Sequence, residues 1–259
     1  MDLGIRGRKA IVCGSSRGLG KGCALALAQA GVSLVINGRD RPNLEATAEE
    51  IRQATGVEVT PVAADISTPE GQAAVLAACP APDILINNNG GPPFRDFREL
   101  DRSAMLTGVT MNMVTPIELM QKVMDPMCAR GFGRIVNITS LSVKMPVAGL
   151  DLSSGARAGL TAFVAGVARG VADRNVTINS LLPGYFDTER LRASFKASAQ
   201  RAGKSVDAIT AQWQASVPAR RFGTATEFGQ ACAFLCSVHA GFITGQNILM
   251  DGGLYPSAF

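Results

Sequence analysis

Three groups of residues in this chain have the types and spacing to do chemistry. The first is Cys13-Gly14-Ser15-Ser16-Arg17-Gly18-Leu19-Gly20, which follows an apolar run and opens a helical stretch. Glycines there let the backbone turn tightly and approach a pyrophosphate. The helix N-terminus adds N–H groups and the positive end of its dipole. The strand–turn–helix context separates this string from an ordinary glycine-rich turn. The second group is Arg39, in Gly38-Arg39-Asp40, together with Arg17. A carboxylate leading that segment would bond a ribose 2′-hydroxyl and repel a 2′-phosphate. Here a guanidinium leads, and two guanidinium groups suit a phosphate dianion. The expected cofactor is therefore NADP(H) rather than NAD(H). The alternative is that Arg39 pairs with Asp40 or Glu45 on the surface. The third group is Ser153 and Arg157, a hydroxyl and a cation four residues apart on one helix face.

Elements must position these groups. Lys9–Cys13, Ser33–Asn37, Glu58–Ala63, Asp83–Asn87, Gly133–Thr139, Val176–Leu182 and Asn247–Met250 read as short strands. Helical patterns separate them, notably Gly20 to Ala30, 103–129, 153–173 and 225–238. This alternation predicts one α/β domain over 1–259, a Rossmann-type doubly wound parallel sheet of about seven strands with helices on both faces. Crossovers should be right-handed. Residues 190–221 are polar and helix-prone and sit between the last two strands. Loops at strand C-termini surround the ligand crevice in such sheets, so this segment is a candidate substrate lid.

Composition narrows the function. The hydrophobic fraction of 47% fits a sheet covered on both faces. No apolar run reaches the roughly 18 residues of a membrane helix. Met1 to Ala10 shows no apolar signal region, so a cytoplasmic protein is expected. The six cysteines form no CxxC pair and read as reduced buried thiols. His239 is the only histidine, which argues against zinc and against His-based triads. A net charge of +4, dispersed, does not indicate nucleic acid.

Further motifs carry a family resemblance. Asp65-Ile66 follows Ala63-Ala64, Asn87-Asn88-Asn89-Gly90 follows the fourth strand, and Asn112 lies in Thr110-Met111-Asn112-Met113. Ser140 ends Ile135-Val136-Asn137-Ile138-Thr139-Ser140. Pro183-Gly184 and Thr188 follow the sixth strand, and Gly245-Gln246-Asn247 leads to Asp251-Gly252-Gly253. With the glycine loop, these resemble a short-chain dehydrogenase/reductase of the 3-oxoacyl-carrier-protein reductase type over nearly the whole chain. The resemblance implies that Gly14, Ser16, Arg17, Gly18, Leu19, Gly20, Arg39, Asp65, Ile66, Asn88, Gly90, Pro183, Gly184 and Thr188 hold the cofactor. It implies catalytic positions at Asn112, Ser140, Ser153 and Arg157, with Arg157 also on the ribose. The Gly90-Gly91-Pro92-Pro93-Phe94 run and the Ser/Arg pair resemble a divergent subgroup.

The departure lies at Ser153 and Arg157, where the family carries Tyr and Lys. In the family the Tyr donates a proton while nicotinamide delivers hydride, and the Lys lowers the Tyr pKa. The Ser bonds the carbonyl oxygen, and the Asn orders water toward the Lys. A Tyr hydroxyl has a pKa near 10 that a cation can tune, whereas an aliphatic hydroxyl is far less acidic. The Ser oxygen also lies roughly 4 Å closer to its own Cα. Arg157 keeps the charge, but with a pKa expected above about 12 it cannot shuttle protons. Tyr185, Lys144 and Asp151 are other possible donors; pocket wall for Tyr185 and solvated charges for the other two are the simpler readings. Ser140 and Arg157 could also polarise a carbonyl electrostatically, with water as the proton source.

The resulting expectation is an NADP(H)-dependent oxidoreductase acting on a carbonyl or alcohol, ketone-like or 3-oxoacyl. The alternatives are an NADP(H)-binding protein without redox activity and, more remotely, a non-redox enzyme on this fold such as halohydrin dehalogenases, which also use an Arg. Tyr185 and Trp213 are expected in the substrate pocket. Cations in the lid (Arg190, Arg192, Lys196, Arg201, Lys204) read as a solvated face or as an attractor for an anionic acyl substrate. A homotetramer or dimer through helices 103–129 and 153–173 follows from the family resemblance, with no membrane or nucleic-acid partner.

Overall fold

The sheet is built from seven short apolar runs, the inner ones buried on both faces and the two edge strands half-buried. In the computed structural model, which describes residues 1–92 and 94–257, these are β1 (Lys9–Val12), β2 (Ser33–Gly38), β3 (Val59–Ala63), β4 (Ile84–Asn87), β5 (Gly133–Ile138), β6 (Val176–Pro183) and β7 (Asn247–Met250). All pair in parallel, in the order β3-β2-β1-β4-β5-β6-β7. Pro61 is accepted because β3 is an edge strand, where one face of the backbone needs no ladder partner.

Nine α-helices are described: α1 (Gly18–Gln29), α2 (Arg41–Thr55), α3 (Pro69–Ala78), α4 (Arg102–Val109), α5 (Thr115–Arg130), α6 (Asp151–Arg169), α7 (Glu189–Ala202), α8 (Val206–Ser216) and α9 (Ala225–Leu235). They cover the sheet in two layers. Cys23, Leu27, Leu44 and Phe228 pack with Ile36 and Ile86 on one face. Leu119, Met127, Leu160 and Val164 pack with Ile11, Leu85 and Ile178 on the other. This is the doubly wound architecture expected from the alternation.

Two elements differ from the sequence reading. The single helix expected over 103–129 is α4 and α5 joined by a π-helical turn, Thr110–Val114. The apolar periodicity runs through this turn, so periodicity alone does not reveal it. The polar 190–221 segment forms α7 and α8, which share a small apolar cluster of Phe195, Ala199 and Ile209, backed by Leu191, Trp213 and Phe222.

Strand order reverses between β1 and β4: β2 and β3 follow on one side, β4 to β7 on the other. At such a switch point the loops leaving the two strands diverge and open a crevice above their C-terminal ends. The glycine loop leaves β1 there, and Asn88-Asn89-Gly90 leaves β4.

Candidate active site

The glycine loop is shaped for close backbone approach. Gly14 holds φ +54°, and a Cβ there would meet Asn88 Nδ2 at 2.9 Å. A Cβ on Gly20 would collide with the Gly14 carbonyl oxygen. Asn88 Nδ2 donates to that carbonyl at 2.9 Å, tying the end of β4 to the loop. Arg17 is the N-cap of α1, and no side chain caps that helix. Its first-turn N–H groups are therefore open to an anion. The backbone cradle and the uncapped helix fit a dinucleotide pyrophosphate.

One cavity beside this loop gathers Gly14, Ser16, Arg17, Arg39, Asp65, Ile66 and Gly90. Arg39 lies 3.9 Å from Asp65 Oδ2, rather than on Asp40 or Glu45. Glu45 meets Arg41 instead. Asp40 is committed to capping α2: it accepts from Asn43 N at 3.2 Å and from Asn43 Nδ2 at 2.6 Å. Those two hydrogen bonds hold its carboxyl below the usual range. Arg17 reaches across the crevice to Glu189 Oε2 at 2.8 Å. Gly18 faces Thr188, whose Cγ2 would lie 3.6 Å from an added Cβ.

A second cavity, of about 240 Å³, adjoins it. Leu19, Asn88, Ser140, Ser153, Arg157, Pro183, Gly184, Tyr185, Thr188 and Trp213 all line it. Ser140 closes β5 and accepts from Ser142 N at 3.1 Å, which fixes the start of the next turn. Ser153 and Arg157 share the buried face of α6, at 5% and 8% exposure. Arg157 donates through Nε to Ser153 Oγ at 3.2 Å and through Nη1 to the Ile138 carbonyl at 2.8 Å. Burial, and then repulsion from Arg190, lower the Arg157 pKa to about 10. This corrects the expectation of a value above 12, although the group remains cationic at neutral pH.

Asn112 stands in the π-helical turn and is buried at 3% exposure. Its Nδ2 donates to the Gly108 carbonyl at 3.2 Å, while Oδ1 is buried without a protein partner. Asn112 and Arg157 line the same small internal cavity. The extra residue of the π turn breaks the regular ladder at this point.

The other candidate donors separate cleanly. Tyr185 lines the cavity, packed against Trp213 with ring centroids 4.9 Å apart and the rings tilted by 36°, and burial raises its pKa. A raised pKa makes it a weaker acid than a free tyrosine. Lys144 sits 5.7 Å from the Tyr255 ring, and Asp151 is exposed in the first turn of α6. Neither lines the cavity.

Two residues gain roles that the sequence did not signal. Asn89, where the family has Ala, donates to Ser67 Oγ at 2.9 Å and so braces the β4 loop against the β3 loop. Arg190, exposed in the first turn of α7, also lines the second cavity. Of the glycine–proline run, Pro93 lies outside the described residues.

The comparisons with known proteins agree with this geometry. The family model described as enoyl-(acyl carrier protein) reductase matches residues 14–255. This chain belongs to the short-chain dehydrogenase/reductase family of oxidoreductases. It is 32% identical over 255 residues to the NADPH-dependent reductase BacG of Bacillus subtilis, covering 96% of this chain and 98% of that one. It is 31% identical over 259 residues to the 3-oxoacyl-[acyl-carrier-protein] reductase FabG of Pseudomonas aeruginosa, covering 98% and 100%. Among solved structures, L-sorbose reductase from Gluconobacter frateurii, complexed with NADPH and L-sorbose, superposes with a TM-score of 0.93 at 27% identity, covering 99% and 100%. No helix among the described residues is long and apolar enough to cross a membrane.

Proposed function

We propose that this family member is an NADP(H)-dependent oxidoreductase that moves hydride between nicotinamide and a ketone-like or 3-oxoacyl substrate through an atypical active site. The observation that carries the proposal is the shared cavity: Ser140, Ser153 and Arg157 line the space that adjoins the glycine-loop cleft. The preference for NADP(H) rests on Arg17 and Arg39 beside that cleft, with Asp40 engaged elsewhere. Relatives whose names or structures carry NADPH support the same cofactor.

A dinucleotide bound here supplies the hydride. The chain's own residues must then stabilise negative charge growing on the substrate oxygen. Ser140 Oγ and Arg157 are the donors available. Arg157 has one corner to offer: Nε and Nη1 are engaged, and Nη2 makes no hydrogen bond among the described residues. Ser153 is occupied as acceptor to Arg157 and positions it. Its hydroxyl is too weak an acid for the tyrosine role. The oxygen is thus held electrostatically, and water supplies the proton. Asn112, with its unpaired buried Oδ1, suits a bound water behind Arg157. Residues 190–221 act as the lid, with Tyr185 and Trp213 as the substrate wall. Exposed Leu106, Met105 and Phe163 on α4 and α6 fit assembly into a homo-oligomer.

The deciding experiment uses NADPH deuterated at the transferable C4 position, a panel of ketones, aldehydes and 3-oxoacyl thioesters, and mass spectrometry of products after long incubation. The reading expects deuterium on the carbinol carbon. No label in any product, despite measured NADPH binding, would overturn it. One observation favours the second reading, a nucleotide-binding protein without redox chemistry: an aliphatic hydroxyl, Ser153, stands at the position that the family gives to its acid.

A further inference from the structure

The second cavity is electrostatically one-sided. Two guanidinium groups line it, Arg157 at its floor and Arg190 in the first turn of α7, and no Asp or Glu does. On its outer side Arg190 also borders a wider cleft with Arg95, Asp96, Glu99 and Arg201, where Asp96 pairs with Arg98. Arg17 pairs with Glu189, and Arg192 pairs with Asp187 through two hydrogen bonds of 2.8 and 2.9 Å. Arg190 has no carboxylate partner among the described residues. Its single hydrogen bond is a long one, Nη2 to the Pro92 carbonyl at 3.4 Å. The loop after β4 lies beside it: a Cβ on Gly91 would sit 2.8 Å from Arg190 Nη2. Packing around the head group lowers its pKa, and its charge in turn lowers that of Arg157. Holding two like charges on one cavity is unfavourable unless an anion joins them.

We infer that the substrate carries a carboxylate, and that Arg190 is the residue that binds it while Arg157 faces the reacting oxygen. The substrate class is an oxo acid rather than a neutral ketone. This inference rests on the proposed reductase reading for the reaction but not for the binding. A forked guanidinium matches a planar carboxylate with two parallel hydrogen bonds, which a hydroxyl or a thioester cannot return. Reduction would deliver hydride to the oxo carbon and a water proton to its oxygen, giving a hydroxy acid and the oxidised dinucleotide. The carboxylate stays unchanged throughout.

The test pairs 2-oxopentanoate and 4-oxopentanoate with their methyl esters. Binding is read in the presence of NADP⁺ by quenching of Trp213, the sole tryptophan and a cavity residue. Turnover is read by deuterium transfer. Wild type should bind an acid roughly tenfold to a hundredfold more tightly than its ester. Arg190→Gln should collapse that preference mainly through KM, and Arg190→Lys should restore part of it. Equal affinity for acid and ester, or a preference that survives Arg190→Gln, would overturn the inference. So would Arg190→Gln weakening NADPH instead, since the guanidinium would then serve the nucleotide. Labelled esters without acid preference would sink the anion site and leave the reductase reading intact. Arg190-dependent acid binding without label in any product would do the reverse.

Discussion

Arg39→Ala isolates the basis of cofactor choice. The Arg39 side chain is 73% exposed and has only Asp65, at 3.9 Å, as an ionic neighbour. Hydrogen bonds from a guanidinium to a 2′-phosphate contribute about 1.5–3 kcal/mol. An ion pair this exposed offsets about 0–1 kcal/mol of that, because water already solvates both partners. The net loss on Arg39→Ala should then be roughly 0.5–3 kcal/mol, or about twofold to 150-fold in the Kd for NADPH. NADH lacks the phosphate, so its Kd should change little. Calorimetric titration of both nucleotides into both proteins gives the comparison directly. Repeating it at higher ionic strength should shrink the NADPH difference, because the contact is open to salt. Equal losses for NADPH and NADH would refute the argument, since Arg39 would then be holding the adenine side of the cleft rather than the phosphate.

Other expectations follow from the same geometry. Stabilisation of the substrate oxyanion by Arg157 requires its cationic form, so kcat/KM should hold up to alkaline pH and fall above about 10, while circular dichroism shows the fold intact. A pH profile rising through that range would remove Arg157 from the chemistry. Gly20→Ala forces the glycine loop off the Gly14 carbonyl and should abolish NADPH binding in titration. Arg134 is 1% exposed and donates to the carbonyls of Gly133, Asn175 and Ser237, so Arg134→Met should lower urea-melt stability by roughly 3 kcal/mol through unpaired buried acceptors. Restoring tyrosine and lysine with Ser153→Tyr and Arg157→Lys should impair the natural reaction under the reductase reading. A gain of carbonyl reduction in deuteride assays would favour the non-redox reading.

Much of this was legible in the sequence because local rules and tertiary placement agree. The glycine loop needs a strand before it and a helix after it, and both are encoded by adjacent apolar patterns. Ser153 and Arg157 share a face because four residues make about one helical turn. What escaped depends on distance rather than pattern. Asn112 is legible from its motif, but the π-helical turn that carries it is not, because apolar periodicity passes over it. Arg190 looks like its neighbours Arg192 and Lys196 in the string, and only its place beside Gly91 makes it line the cavity. The Arg157 pKa follows from burial against β5, which no spacing reveals. The partner of Arg39 is Asp65 because β2 and β3 are adjacent in register, with Gly38 opposite Ala63.

Under the proposed reading, Ser153 in the place of the family's Tyr changes two things at once, and they must be weighed together. It removes the acid, so the oxygen formed by hydride transfer has to be stabilised as an anion by Ser140 and Arg157. A single preorganised donor to such an oxyanion contributes about 2.7–4 kcal/mol, comparable with what a general acid provides. The loss is therefore recoverable, provided that Arg157 is held still. The Ser153 and Ile138 hydrogen bonds do hold it. The exchange also vacates the space of an aromatic ring inside a cavity of about 240 Å³, lined elsewhere by Leu141, Val147, Tyr185 and Trp213. Substrate atoms can occupy that space beside the reacting carbon, where a tyrosine-bearing relative would exclude them. A larger or branched carbonyl compound held by its far end through Arg190 uses both consequences: electrostatic rather than acid stabilisation at one end, and ionic anchoring at the other. A small neutral ketone has only the first, with no group for Arg190 to hold, and should be the poorest substrate of the panel.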